Sequence, residues 1–221
     1  MTDTRWQKWD SWMKTIHDDL RQLCTWKMVF CRLEQIVDQN PSLQANEAVC
    51  EFLKVAYAST VAMGVRRQVK IDPQSISLMR LFSEIKEDPE ILSRERYKAH
   101  FDGSDMLPLA DEMFDEFAGA GGAHVDPNLV ERDMKHLAAR AQAVEDFADR
   151  CVAHLDTRGP KFETTYFDLN GCVDYIENLY LRYYSLFRAC TLYRVLPVFQ
   201  YDWEAAFKEP WIRESQDNAD A

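Results

Sequence analysis

The sequence predicts an all-α fold: an up-and-down helical bundle, with short extra helices in an insertion. Three observations carry this. Apolar residues recur along several long stretches at alternating steps of three and four, the period of a helix face. No segment alternates with period two, as a half-buried strand would. Only 7 Gly and 8 Pro occur in 221 residues, too few for the turns of a β sandwich or a nucleotide-binding α/β fold. A chain of this length suits one domain. It buries roughly 70% of the surface its unfolded form exposes, so it needs no disulfide or metal to hold it.

The first helix is read over residues 4–39, with Trp6, Trp9, Met13, Ile16, Leu20 and Leu23 on one stripe. Asn40-Pro41 ends it, because the residue before proline avoids the helical region. Ser42 or Asn46 starts a second helix over 43–68, carrying Val49, Phe52, Leu53, Ala56 and Tyr57. After a turn at 70–77, Ser75 or Ser77 caps a short helix holding Leu78, Leu81, Phe82 and Ile85. Asp88-Pro89 breaks that helix, and Pro89 opens another through Leu92 and Tyr97.

Residues 101–126 are punctuated by Gly103, Pro108 and Gly119-Ala-Gly-Gly122. They also carry Met106, Leu107, Leu109, Met113, Phe114 and Phe117, which argues for a packed insertion with a short helix. Asp126 and Pro127 are a cap and a first helical residue. The helix they open, 127–155, shows a heptad-like stripe of Val130, Met134, Leu137, Ala141, Val144, Ala148, Cys151 and Leu155. Asp168 is the candidate cap for the last long helix, 169–192, whose stripe is Val173, Ile176, Tyr180, Tyr183, Phe187 and Cys190, with Pro197 as its stop. Trp203, Phe207 and Trp211 mark a short amphipathic piece. The expected organisation is one bundle domain over 1–200, then a short helix and acidic tail over 201–221.

The net charge of -11 is localised. Residues 101–126 hold seven acids and no Lys or Arg, and 202–221 hold six acids and two bases, so the rest of the chain balances. Such segments serve solubility, or they mimic or repel nucleic acid. The longest uncharged run, Val55 to Val65, is too short to span a bilayer, and the N-terminus lacks an apolar signal core. These features lead us to expect a cytoplasmic protein with no membrane partner. The six cysteines, at 24, 31, 50, 151, 172 and 190, include no Cys-x-x-Cys. They are read as reduced and mostly buried. None of the five histidines stands in His-Glu-x-x-His spacing, and no paired Glu-x-x-His motif exists for a di-iron bundle. No metal and no cofactor is expected.

Two clusters can carry chemistry. His154 lies near the end of the long helix with Arg150 four residues earlier on the same face and Asp156 just beyond. An imidazole beside a guanidinium suits RNA cleavage: His154 would move the proton at the ribose oxygen, Arg150 would stabilise the phosphorane charge, and Asp156 would orient the imidazole. The other reading is a histidine that caps its own helix. In the second cluster, Arg66, Arg67, Lys70 and Arg80 gather around a helix–turn–helix junction. They form either a phosphate-facing RNA-binding patch or an ion-pair network docking the junction onto the bundle.

Ala56-Tyr57, Arg66-Arg67-Gln68, Ser75-Ile-Ser-Leu78 leading to Leu81 and Ile85, and Ala153-His-Leu-Asp156 together resemble the AbiU type of the HEPN superfamily, over roughly residues 45–190. The resemblance implies a dimerising helical bundle of prokaryotic anti-phage defence by abortive infection, or of a toxin system. Many HEPN proteins are metal-independent ribonucleases that use an Arg, four to six residues, then a His. Here Arg150 stands one residue too close to His154, and Arg94 with His100 alone meets the spacing. Two functions stay open: a ribonuclease acting as a homodimer, or a non-catalytic module that binds RNA, a partner protein or an antitoxin.

Overall fold

The stripe of the first helix sets the axis of the molecule. In a computed structural model describing residues 2–154 and 156–208, helix α1 spans Thr2–Asp38. It buries Trp9, Met13, Ile16, Leu20, Leu23 and Phe30. The one-turn helix α2 (Pro41–Gln44) leads to α3 (Glu47–Val69), capped by the Asn46 side chain, which accepts from the Val49 amide. Helix α7 (Pro127–Phe147) and helix α8 (Tyr166–Arg188) complete a ring in which α1 packs on α3, α3 on α7, α7 on α8 and α8 on α1. Among the described residues there is no strand, only an isolated antiparallel bridge between Ser93 and His124. The all-α bundle is therefore present.

Helix α4 (Leu78–Glu87) lies across α7 and buries Leu78, Leu81, Phe82 and Ile85. Of the two serines offered as its cap, Ser77 is used: its hydroxyl accepts from the Arg80 amide and donates to the Lys70 carbonyl at 2.6 Å. Buried Gln68 stitches the same junction. Its amide donates to Asp19 of α1 at 2.6 Å and accepts from the Leu78 amide at 3.1 Å. Helices α1 and α3 approach closely at Gly64. A Cβ there would fall 2.2 Å from Cδ2 of Leu23, so this crossing has room for glycine alone.

The insertion is packed, as its apolar residues suggested. Helix α5 (Arg94–Ala99) and helix α6 (Ala110–Ala118) bury Tyr97, Ala110, Phe114 and Phe117. Met106 and Leu109 face solvent. Arg94 holds the segment together, donating to the carbonyls of Gly122 at 2.8 Å and Asp111 at 2.7 Å and pairing with Asp115 at 2.5 Å. Arg94, the arginine of the literal Arg94–His100 spacing, is thus engaged in clasping the insertion.

The helix expected to open at Pro89 is split into a 3₁₀ turn (Pro89–Ile91) and α5, and three further boundaries differ from expectation. The helix read over 127–155 ends its regular course at Phe147 and closes with a π turn, Ala148–Val152, in which the Ala153 amide donates to the Ala148 carbonyl. Leu155 lies outside the described residues. The cap of α8 is Thr165, with Asp168 as the third residue of a capping box. Helix α8 stops at Arg188, well before Pro197, because Ala189 turns left-handed (φ 50°). Cys190 is consequently exposed, and only Cys24 and Cys172 are buried. Trp203–Phe207 form a 3₁₀ turn tied to α1 by Arg32 and Glu204. Trp211 and the acidic tail beyond residue 208 lie outside the described residues.

The largest correction concerns α3. Its expected core residues Val49, Phe52 and Ala56 are exposed, with Phe52 70% accessible. From Cys31 to Ala56 no residue is buried at all. The end of α1, α2 and the first turns of α3 thus form a helical arm standing beyond the core. By length and composition α3 passes as a bilayer-spanning helix: an 18-residue window has mean hydropathy 1.4, and 28% of it is buried. The uninterrupted run Val55 to Val65 understated this, because a spanning window tolerates isolated charges such as Glu51 and Lys54.

Candidate functional site: the end of α7 and the arm of α3

The π turn presents Arg150 to the loop that follows it. The guanidinium is only 14% exposed. It donates to Asp146 at 2.7 Å and to the Gly159 carbonyl at 3.1 Å, and lies 3.5 Å from Asp156. Asp146 also accepts from the Lys161 amide. Asp156 takes the backbone amide of Arg158 at 2.9 Å and its guanidinium at 2.7 Å. These bonds from Arg158 hold the Asp156 carboxyl far below the usual carboxylate range. Arg150 therefore clasps the 156–161 loop onto the helix end. His154 is exposed, and its imidazole is absent from the groups that Arg150 and Asp156 bond.

The second cluster divides in two. Arg66 bonds Asp149, and Lys70 pairs with Glu145 at 2.8 Å and lies 3.7 Å from Asp149. These two bases thus reach the same end of α7 as Arg150. Arg67 turns to Asp19 of α1 at 2.7 Å. Arg80 stacks over Trp12 at 4.4 Å, donates to the Ser75 carbonyl and lies 3.8 Å from Glu84. Each of the four bases bonds or neighbours a carboxylate of its own chain, Arg66 and Lys70 at the end of α7, Arg67 on α1 and Arg80 on its own helix. A phosphate chain approaching Arg66 or Lys70 meets Asp149 beside them, which weakens the attraction that neutralising phosphates requires.

No family model, curated protein or solved structure matches the chain. The functional reading therefore rests on this geometry and on the sequence resemblance.

Two buried charge clusters escaped sequence reasoning. Asp133 on α7, 6% exposed, accepts from Arg182 at 3.0 Å and from the Tyr183 hydroxyl at 2.9 Å. Asp10 on α1 sits between Lys14 at 2.8 Å and Arg188 at 2.5 Å. Burial raises its pKa, but the bonds to Lys14 and Arg188 outweigh that and leave it below the ordinary value. Both acids serve packing between helices. Among the described residues, no group of three or more His, Cys, Asp or Glu side chains is placed to hold a metal ion.

The arm carries an unpartnered apolar surface. Val49 and Val55, 47% and 53% exposed, flank Phe52. Val49, Phe52, Ala56, Ser59 and Met63 advance by three, four, three and four residues. This is a second heptad-like stripe, opposite the buried stripe of Tyr57, Val61, Gly64 and Gln68. Its signal was present in the sequence. A helix apolar on both faces is normally buried on both, and α3 is covered on only one. Between α1 and α3 the arm also encloses a cleft of about 430 Å³ lined by Phe30, Leu33, Val37, Leu53 and Lys54.

Proposed function

We propose that this chain is a non-catalytic HEPN-like binding module, in keeping with the AbiU resemblance and its setting in prokaryotic defence. It docks a helical protein partner along the outer face of α3. The observation that carries this reading is the apolar surface at the start of α3, where Val49, Phe52, Val55 and Ala56 face solvent. An apolar stripe rimmed by Glu47, Glu51 and Lys54 is the surface of a protein interface. The commitment of Arg150 to Asp146 and Gly159 supports it from the other side, since a guanidinium engaged by a loop is not free for a phosphorane.

The test is incubation of total bacterial RNA with purified wild-type protein and with His154→Ala, with no divalent metal added, alongside expression of both in a bacterial host. Equal RNA integrity and equal growth are expected for the two proteins. RNA cleavage by the wild type that His154→Ala abolishes, with the fold intact, would replace this reading with the ribonuclease one.

A further inference from the structure

We infer that the cleft between α1 and α8 binds a small aromatic carboxylic acid, its carboxylate at Lys14 and Arg188 and its ring beside His17 and Tyr184. The cleft is separate from the arm and from the loop after α7. Its volume is about 440 Å³, and it is lined by Lys14, His17 and Asp18 of α1 and by Tyr180, Tyr184 and Arg188 of α8. Pockets of this size hold small organic ligands.

The two helices run antiparallel here and give the cleft two unlike ends. Arg188 meets Asp10, whereas the Tyr180 hydroxyl donates to the Met13 carbonyl at 3.3 Å and the Tyr180 ring lies 5.7 Å from His17. Tyr180, Tyr184 and Arg188 recur every four residues along one side of α8, over about 12 Å at 1.5 Å per residue.

The first end is cationic. Lys14 and Arg188 both reach the buried carboxylate of Asp10, at 2.8 and 2.5 Å. Two cations against one anion leave a positive charge unmatched. At the end of α7, by contrast, Arg66 and Lys70 meet Asp149 and Glu145 one for one. The Lys14 and Arg188 side chains remain 68% and 27% exposed. Both keep spare donors, since an ammonium has three and a guanidinium five. One unmatched charge suits a carboxylate, a monoanion, better than a phosphate monoester, which carries nearly two charges.

The second end is aromatic. Burial, helped by Arg21 and opposed by Asp18, holds His17 below its ordinary pKa. The neutral imidazole therefore offers a bond and no charge. Its Nδ1 is buried without a partner, a state few polar groups are left in, so Nε2 is the nitrogen a ligand meets. The Tyr180 and Tyr184 rings, 6.0 Å apart, and the His17 ring form a wall on which another ring packs. Asp18 repels a negative charge at this end, which directs the carboxylate to Lys14 and Arg188. A hydroxyl on the far side of the ring then meets Nε2 of His17.

Isothermal titration calorimetry of the full chain with para-hydroxyphenylpropionate tests this. The wild type is expected to bind one equivalent. The matching alcohol, para-hydroxyphenylpropanol, and propionate, which lacks the ring, should each bind at least about 10-fold more weakly, the loss that follows one charge-assisted bond or one packed ring. Lys14→Gln should weaken binding by a similar factor with unchanged helix content. Arg188→Lys keeps Asp10 paired but gives up the planar fork, and should weaken it too. The wild type should prefer the probe to phenylpropionate, and His17→Phe should bind the two alike. Phe52→Glu should bind as the wild type does, which separates this site from the α3 face. Absence of saturable binding to the wild type overturns the proposal, as does wild-type affinity in both Lys14→Gln and Arg188→Lys. Tyramine binding as tightly as the acid would assign the cleft to a cation, and tighter binding of phenyl phosphate would overturn the choice of a carboxylate.

Discussion

Gly64→Ala isolates how closely α1 and α3 approach. The added methyl would lie 2.2 Å from Cδ2 of Leu23 and 3.1 Å from both Cγ and Cδ1. Carbon atoms pack favourably at about 3.5–4.0 Å, so Leu23 or a helix must move by more than an ångström. Leu23 is fully buried, with no solvent to turn into. Overpacking of this kind costs about 1–3 kcal/mol, and a contact this short belongs at the upper end. Replacing glycine by alanine in a helix interior returns about 1 kcal/mol. The expected net loss is about 2 kcal/mol, or roughly 4–8 °C in Tm for a domain of this size. Urea denaturation followed by circular dichroism measures it. A double-mutant cycle with Leu23→Ala supplies the decisive control. The Leu23→Ala change alone costs about 2–5 kcal/mol through its cavity. The methyl introduced by Gly64→Ala should partly fill that cavity, so the two losses should sum to more than the double variant shows. A Gly64→Ala protein as stable as the wild type, or strict additivity in the cycle, would refute the close approach.

The remaining predictions concern the polar clusters. Asp133→Ala leaves the buried Tyr183 hydroxyl without its acceptor and should cost about 1–3 kcal/mol. In the Tyr183→Phe background the same change should cost less, as thermal melts will show. Arg94→Ala removes the bonds to Gly122, Asp111 and Asp115, so limited proteolysis should cut within residues 101–126 at least about 10-fold faster while the bundle resists. Burial lowers the pKa of His17 from its ordinary 6.5, so the unfolded chain takes up the proton first as pH falls. Stability should therefore drop as pH falls through about 6.5, and a plot of Tm against pH should be flatter there for His17→Phe.

Periodicity made the bundle legible. The α1 and α7 stripes required only that steps of three and four continue, and Trp9 through Leu23 and Val130 through Ala148 are buried, with Met134 partly so. Punctuation by Asn40-Pro41, Asp88-Pro89 and Asp126-Pro127 located the breaks, because proline restricts its own φ and its neighbour's conformation. The end of α8 was not legible, since a left-handed alanine has no residue-type signal of the kind glycine gives. The π turn after Phe147 was hidden for a related reason: an extra residue in one turn leaves the apolar pattern almost unchanged. At the candidate site, proximity in sequence brings Arg150 to within 3.5 Å of Asp156, while exposed His154 is not among the groups that either of them bonds. It could not foretell that Asp146 and the Gly159 carbonyl would claim the guanidinium, since those partners depend on how the following loop folds back. Phe52 was misassigned because a stripe reveals that a face is apolar, not what covers it.

The insertion has a neck. The Arg94 amide donates to the Ala123 carbonyl at 2.9 Å, and the Val125 amide to the Leu92 carbonyl at 3.2 Å, so the chain leaves the bundle and returns to it at neighbouring points. Between those points, length is nearly free: doubling an already closed loop adds only about 0.6 kcal/mol of closure entropy. The exposed run 102–106 within that stretch is thus where this architecture can be lengthened while the buried residues of α5 and α6 and the frame of α1, α3, α7 and α8 keep their packing. A graft at Gly103, whose φ is +74° with open space around its Cβ position, would hang from the molecule like a pendant on a clasp.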